Sequence, residues 1–258
     1  MTQYIIICLV ALFASGLTFF SGFGLGTILV PVFAVYFPIE IAIALTAIVH
    51  FLNNAFKFVL IGSHVQKQIV LRFGLPAIVA ALAGAAVLHL LADAPSLYTY
   101  QIGEQDKMIT SVKLIIAVLL IIFSVIELSP KLSNITFDKK YLPLGGLLSG
   151  FFGGLSGNQG ALRSAFLSRA GLTKEQFIAS GTAIAIIIDI SRLTVYSSDF
   201  IKPGITLDYK LIACASLSAF IGAIIGNSAL KKITVKTLQT VVGIMLLIFA
   251  IFLGLGLI

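Results

Sequence analysis

The sequence is poor in the residues that build soluble sites. Its 258 residues include no Trp, three Met, three His and two Cys, and only 17 Lys or Arg and 10 Asp or Glu. Charged residues make up 10% of the chain, against about 25% in soluble domains. Both cysteines, Cys8 and Cys214, lie in apolar runs, which excludes a disulfide framework or a Cys-rich metal site and leaves the redox compartment unread. No histidine follows His89, and His50, His64 and His89 lack the i, i+4 pairing of a zinc-binding helix, so no metal and no cofactor is expected. The net charge is +7, yet no basic cluster interleaved with aromatics occurs, so no nucleic acid is expected as a partner. What abounds is apolar: 59% hydrophobic residues, 23 Gly and a mean hydropathy of +1.11. This composition belongs to a polytopic membrane protein whose solvent is the lipid bilayer.

Eight uncharged or nearly uncharged segments are long enough to span, at residues 4–36, 39–61, 69–91, 109–128, 141–167, 176–196, 207–230 and 235–258. Residues 4–20 lack a basic flank and a small-residue cleavage site, and are read as retained rather than as a signal peptide. Ten-residue alternating segments are absent, so the reading is all-helical. The first segment, about 33 residues, is about 50 Å long as a helix and overshoots a hydrocarbon core of about 30 Å. It is expected to break at Ser21-Gly22-Phe23-Gly24-Leu25-Gly26, and the fifth segment at Gly150 to Gly160.

The stretches after the two breaks also match: Leu45-Thr46-Ala47-Ile48 has a counterpart in Gly181-Thr182-Ala183-Ile184, offset by 136 positions. The sequence thus predicts an all-α polytopic membrane protein with two inverted repeats, residues 1–130 and 131–258, each a Gly-broken helical hairpin plus three spanning helices. Glycines that merely permit close helix packing are the competing reading of either stretch. Basic residues decide the topology. If the broken segments enter and return, Lys67, Arg72, Lys131, Lys139, Lys140, Arg169, Lys174, Lys231, Lys232 and Lys236 share one side, facing Lys107, Lys113, Lys202 and Lys210. Ten against four satisfies the positive-inside rule and puts both termini outside; single crossings divide the same residues seven against seven.

Polar side chains inside spans are costly and mark function. His50, Asn53, Asn54 and Lys57 fall on one helix face; the second half has Arg163, Asp189 and Arg192, and the offset maps Asn53 onto Asp189. Three cations against one anion favour a small anionic substrate. Its candidate ligands are Gly24, Gly26, Thr27, Asn53, Asn54, Lys57, Ser156, Asn158, Gln159, Arg163 and Arg192. Half-helix N-termini near Thr27 and Ala161 would add oriented N–H groups. Arg163 offers a planar fork for paired oxygens, or snorkels to a helix end. Asp189 and Arg192, at i and i+3, could simply pair. His50 with Asp189 could carry a proton and couple transport to H+, or His50 could be a packing histidine.

A secondary transporter working by alternating access is the leading reading, with an uncoupled anion channel as the alternative. An intramembrane enzyme is weaker. Gly154-Leu155-Ser156-Gly157 reads as the Gly-x-Ser-Gly of rhomboid-type proteases, but no histidine base lies in the second half.

Gly22-Phe23-Gly24-Leu25-Gly26 followed by Pro31, and Gly153 to Gly160 followed by Gly181-Thr182, resemble the TauE/SafE sulfite exporter family over essentially the whole chain. The resemblance implies an exporter of sulfite, organosulfonate or related organic anions in a bacterial inner membrane, and implicates the Gly-rich turns and the Thr46 and Thr182 regions. The chain departs from the pattern with Arg163 and Ser164 where a counterpart of Pro31 is expected, and with Asn158-Gln159 in place of another glycine.

Overall fold

Lipid offers no hydrogen bonds, so each apolar run satisfies its backbone internally by coiling into a helix. The computed structural model describes residues 1–19, 24–133, 135–197, 208–229 and 235–258, with backbone alone at 227–229, 235 and 238. The first run forms α1 (Thr2–Leu17) and α2 (Leu25–Ala34), followed by α3 (Ile39–Ile61), α4 (Lys67–Ala92), the strands β1 (Ser96–Ile102) and β2 (Gln105–Thr110), and α5 (Ser111–Leu128). After a short α6 (Pro130–Ser133) the helical order returns as α7 (Leu142–Ser156), α8 (Gly160–Leu167), α9 (Lys174–Tyr196), α10 (Tyr209–Ala229) and α11 (Val235–Gly254). Among the described residues α3, α4, α5, α9 and α10 are long and apolar enough to cross a membrane. With 20 residues, α11 also has the length of a span. The chain is an all-α polytopic membrane protein.

Both long runs break. In the first, Ser21, Gly22 and Phe23 lie outside the described residues, and Gly24 precedes α2 at φ 113°, a backbone conformation that only glycine adopts without strain. The second break is narrower than expected: Gly150, Gly153 and Gly154 are helical, and only Gly157, Asn158 and Gln159 separate α7 from α8. The return helices begin at Leu25 and Gly160, slightly ahead of Thr27 and Ala161.

The helical glycines serve packing instead. A Cβ on Gly146, Gly150 or Gly154 of α7 would stand 2.1, 2.4 or 2.2 Å from the carbonyl oxygens of Phe73, Ala77 or Ala81 of α4. Gly222 and Gly226 of α10 meet the carbonyls of Leu12 and Gly16 of α1 at 2.0 and 2.5 Å in the same way. Both pairs run parallel, with glycine every fourth residue clearing a path for the neighbouring backbone.

After its break the chain turns back. Gly153 abuts Gln159 and Gly145 abuts the Phe166 ring, so α8 retraces α7 toward its start. At one end of the bundle the Tyr4 hydroxyl donates to Asp208, whose Oδ1 caps α10 by accepting from the Leu211 N–H at 3.0 Å. That hydroxyl holds the half-buried Asp208 carboxyl below the usual range. The opposite end holds Asp138 and Arg169, 4.0 Å apart, and the Gln66 N–H donating to Ser180 Oγ at 3.0 Å. Lys67 and Lys107 therefore sit at opposite ends of α4, whose 26 residues measure about 39 Å. Lys202, Lys231 and Lys232 lie outside the described residues.

An all-helical chain is the expectation from sequence, and residues 96–110 depart from it. They form an antiparallel hairpin whose two-residue loop opens with Gly103 at φ 62°. Strands of seven and six residues fall below the ten-residue template of a membrane barrel, which is why that pattern does not find them. The hairpin docks on the C-terminus: Tyr100 Oη donates to the Leu255 carbonyl at 2.5 Å and Lys107 Nζ to that of Leu257 at 3.4 Å.

Overpacking a close helix contact costs about 1–3 kcal/mol, sometimes more. Gly150→Val and Gly154→Val are each expected to lower unfolding stability in detergent by at least that amount. Gly181→Ala, where the nearest atoms stand at 3.6 and 3.8 Å, is expected to stay within about 1 kcal/mol of the parent.

Candidate functional site

A face of α3 with residues three and four apart brings His50, Asn53, Asn54 and Lys57 to one side, and all four are buried. Opposite stand Asp189 and Arg192 of α9 and Arg163 of α8, also buried. The two breaks meet here, because a Cβ on Gly26 would lie 3.5 Å from both the His50 ring and the Gly157 carbonyl oxygen. Gly24 contributes a turn: a Cβ there would collide with Thr18 at 2.7 Å.

Asp189 is the hub. Its Oδ2 faces His50 Nδ1 at 2.6 Å, which makes the ring nitrogen the donor. Its Oδ1 accepts from Gln159 Nε2 at 2.9 Å and from Arg192 Nε and Nη2 at 3.1 and 2.8 Å. Arg192 also donates to the Gly153 carbonyl at 3.2 Å. Gln159 Oε1 accepts from Arg163 Nη1 at 3.1 Å, so one glutamine links the second cation to the same carboxylate. Asp189 and Arg192 do pair, and the pair is wired into the break rather than isolated on its own helix.

The break's backbone is satisfied from α9. A helix end leaves carbonyls without partners, and at the end of α7 the Tyr196 hydroxyl takes that of Gly154, while Arg192 is a second donor, beside the Gly157 N–H, to that of Gly153. Ser149 Oγ donates to the Gln159 carbonyl at 2.8 Å. Ser156 and Asn158 are occupied locally: Ser156 donates to the Phe152 carbonyl at 3.0 Å, and Asn158 Nδ2 to Ser156 Oγ at 3.3 Å.

Two donors remain over. Asn53 Oδ1 accepts from Ser15 Oγ at 3.0 Å, which turns Nδ2 away, and that nitrogen is buried without a partner. Lys57 makes no ion pair among the described residues; its Nζ stands 5.3 Å from the Phe19 ring centre. Both side chains line a cavity of about 10 Å³, with Thr18, His50, Asn54 and Thr182, which is room for about one water. Asn54 Nδ2 donates to the His50 carbonyl at 2.9 Å and braces that turn of α3.

Among the expected site residues, Thr27 is half-buried on α2 and makes no side-chain hydrogen bond among the described residues. Sequence reasoning overlooked Ser15, Thr18, Ser149 and Tyr196, which hold the site in place. Ser15 near the end of α1 and Thr18 at its C-cap follow an apolar run, a polar signal inside a span that could have revealed them. Thr46 is buried with Oγ1 unpartnered, and is not among the side chains lining the central cavity.

A family model described as sulfite exporter TauE/SafE matches residues 7–253. The chain belongs to that family. No curated protein and no solved structure matches it. Membership makes this TauE/SafE protein a multi-pass membrane transporter in the sulfite and anion class.

Removing one member of a buried ion pair strands the other, at a cost of about 3–5 kcal/mol. Arg192→Met and Asp189→Asn are each expected to destabilise this TauE/SafE protein on that scale. The double variant should lose clearly less than their sum, as read from a double-mutant cycle of unfolding in detergent.

Proposed function

We propose that the chain is a secondary transporter moving a small anion, such as sulfite, an organosulfonate or a related organic anion, by alternating access. The observation that carries this reading is the pair of buried donors left over among the described residues, Asn53 Nδ2 without a hydrogen-bond partner and Lys57 without an ion pair, both lining one small cavity beside the first helix break. A buried donor left unmatched is costly, and an oxyanion supplies the missing lone pairs. The surrounding charge has the same sense: Lys57, Arg163 and Arg192 are set against Asp189 alone. Arg163, through Gln159, and Arg192, through Asp189, shape the positive field at the site. A cavity of about 10 Å³ is closed to an anion of that class, which favours a gated transporter over an open channel.

In this reading residues 1–130 and 131–258 are inverted repeats, each with three net crossings because its broken hairpin returns to its own side. The end carrying Lys67, Arg72, Lys131, Lys139, Lys140, Arg169 and Lys174 faces the cytoplasm, and both termini lie outside the inner membrane. His50, donating to Asp189, is the proton carrier. Protonating the carboxylate removes its charge and would loosen the contact that joins α3 to α9, and so couple H+ to the movement of the repeats.

Thermal shift of purified protein against sulfite, sulfoacetate, taurine, sulfate, acetate and chloride tests the substrate. A ligand at 100 times its Kd stabilises the folded state by about 2.7 kcal/mol. A sulfur oxyanion or sulfonate is expected to raise the Tm of the parent, with the shift lost in Lys57→Met and Arg163→Ala; no shift from any anion would reject the reading. For topology, single cysteines introduced at positions 67 and 107 of a Cys8→Ser, Cys214→Ser background should label from opposite faces, position 67 from the cytoplasm.

A further inference from the structure

One intramembrane acid takes no part in the central site. Glu127 lies in the last turn of α5, 7% exposed, with Oε2 buried and without a hydrogen-bond partner. That turn carries no basic residue, and no cation among the described residues pairs with the carboxyl. An acid here meets the negative end of the helix dipole as well as the loss of water. Gln239 of α11 is the polar side chain that approaches it. Glu127 is nevertheless among the residues that line a space the protein does not fill.

That space is a cavity of about 500 Å³ between α5, α8, α9 and α11, in the size range of small-molecule sites. It lies at the end of the bundle that holds Asp138 and Arg169. Its walls include the rings of Phe123, Phe137 and Phe177 and the aliphatic side chain of Leu162, while Lys236 stands exposed at its edge. Water alone suits it poorly, because a buried water needs two to four polar partners and most of this surface is apolar. An anion would meet the carboxylate head-on. An ammonium group supplies the missing N–H, and aromatic faces attract its positive charge.

We propose that this cavity binds a primary ammonium ion carrying an apolar tail, with an N–H donated to the Glu127 carboxylate and the tail held against Phe123, Phe137 and Phe177. The site is separate from the central one: Ala161, Leu162 and Ala165 of α8 face this cavity, whereas Arg163 bonds to Gln159. It stands whether or not the central site carries an anion.

The test titrates the full-length protein in detergent with 4-phenylbutylamine and with its neutral counterpart 4-phenylbutan-1-ol, following the Tm. The amine is expected to stabilise the parent saturably, the alcohol to act at least tenfold more weakly, and Glu127→Gln to weaken the amine at least tenfold while leaving the alcohol unchanged. An unshifted parent, equal action of amine and alcohol, or full amine affinity in Glu127→Gln would each overturn the proposal. If Glu127→Gln does not yield folded protein, Ala165→Phe decides, since it fills the cavity without replacing the carboxyl. Loss of the amine shift supports the site, and a retained shift overturns it.

Discussion

The architecture turns on a carboxylate that cannot stand alone. Burying Asp189 in a low-dielectric interior costs several kcal/mol, offset only by donors at hydrogen-bond distance. Those donors come from three places in the chain: His50 on α3, Gln159 in the second break and Arg192 one turn along α9. Meeting that demand brings α3, α9 and the break to one depth. It also leaves Arg163 held by the same glutamine, so the polar centre is a connected network rather than a set of separate charges.

Such a network inside lipid requires backbone that is both interrupted and satisfied. Carbonyls at the end of α7 accept from Arg192 and Tyr196, side chains from a helix that comes later in the chain. The break can reach α9 because α7 lies unusually close to α4, glycine against carbonyl at three successive turns, and α1 lies equally close to α10. Apolar attraction gives little reason for helices to associate in lipid, so intimate backbone contact and polar pairing hold this bundle together. The donors left over, Asn53 Nδ2 and Lys57, are the ones that the network does not use.

Much of the fold was legible because its causes are local. An uncharged run long enough to span has few alternatives to a helix, and the bounds of α3 at residues 39–61 follow from that alone. The breaks were visible as glycine clusters, but their extent was not. Glycine weakens a helix and also lets one pack closely, and Gly150 and Gly154 take the second role because the backbone of α4 lies against them. The short hairpin at 96–110 escaped a pattern tuned to longer strands. Glu127, at the very end of its segment, went unread as part of a site because only the surrounding helices show that it is buried.

The sequence by itself determined the solvent of this protein, its helical class, the interruption of two runs and the short list of side chains too polar to lie in lipid without a reason. It could place His50, Asn53, Asn54 and Lys57 on one face because helical periodicity is a local property. Which polar group answers which was decided only by tertiary structure. That Asp189 binds Arg192 and His50 together, that Gln159 joins Arg163 to them, and that Asn53 and Lys57 are left facing one small cavity depend on how distant helices approach. Those approaches are governed by contacts across tens to more than a hundred residues, which no local pattern encodes.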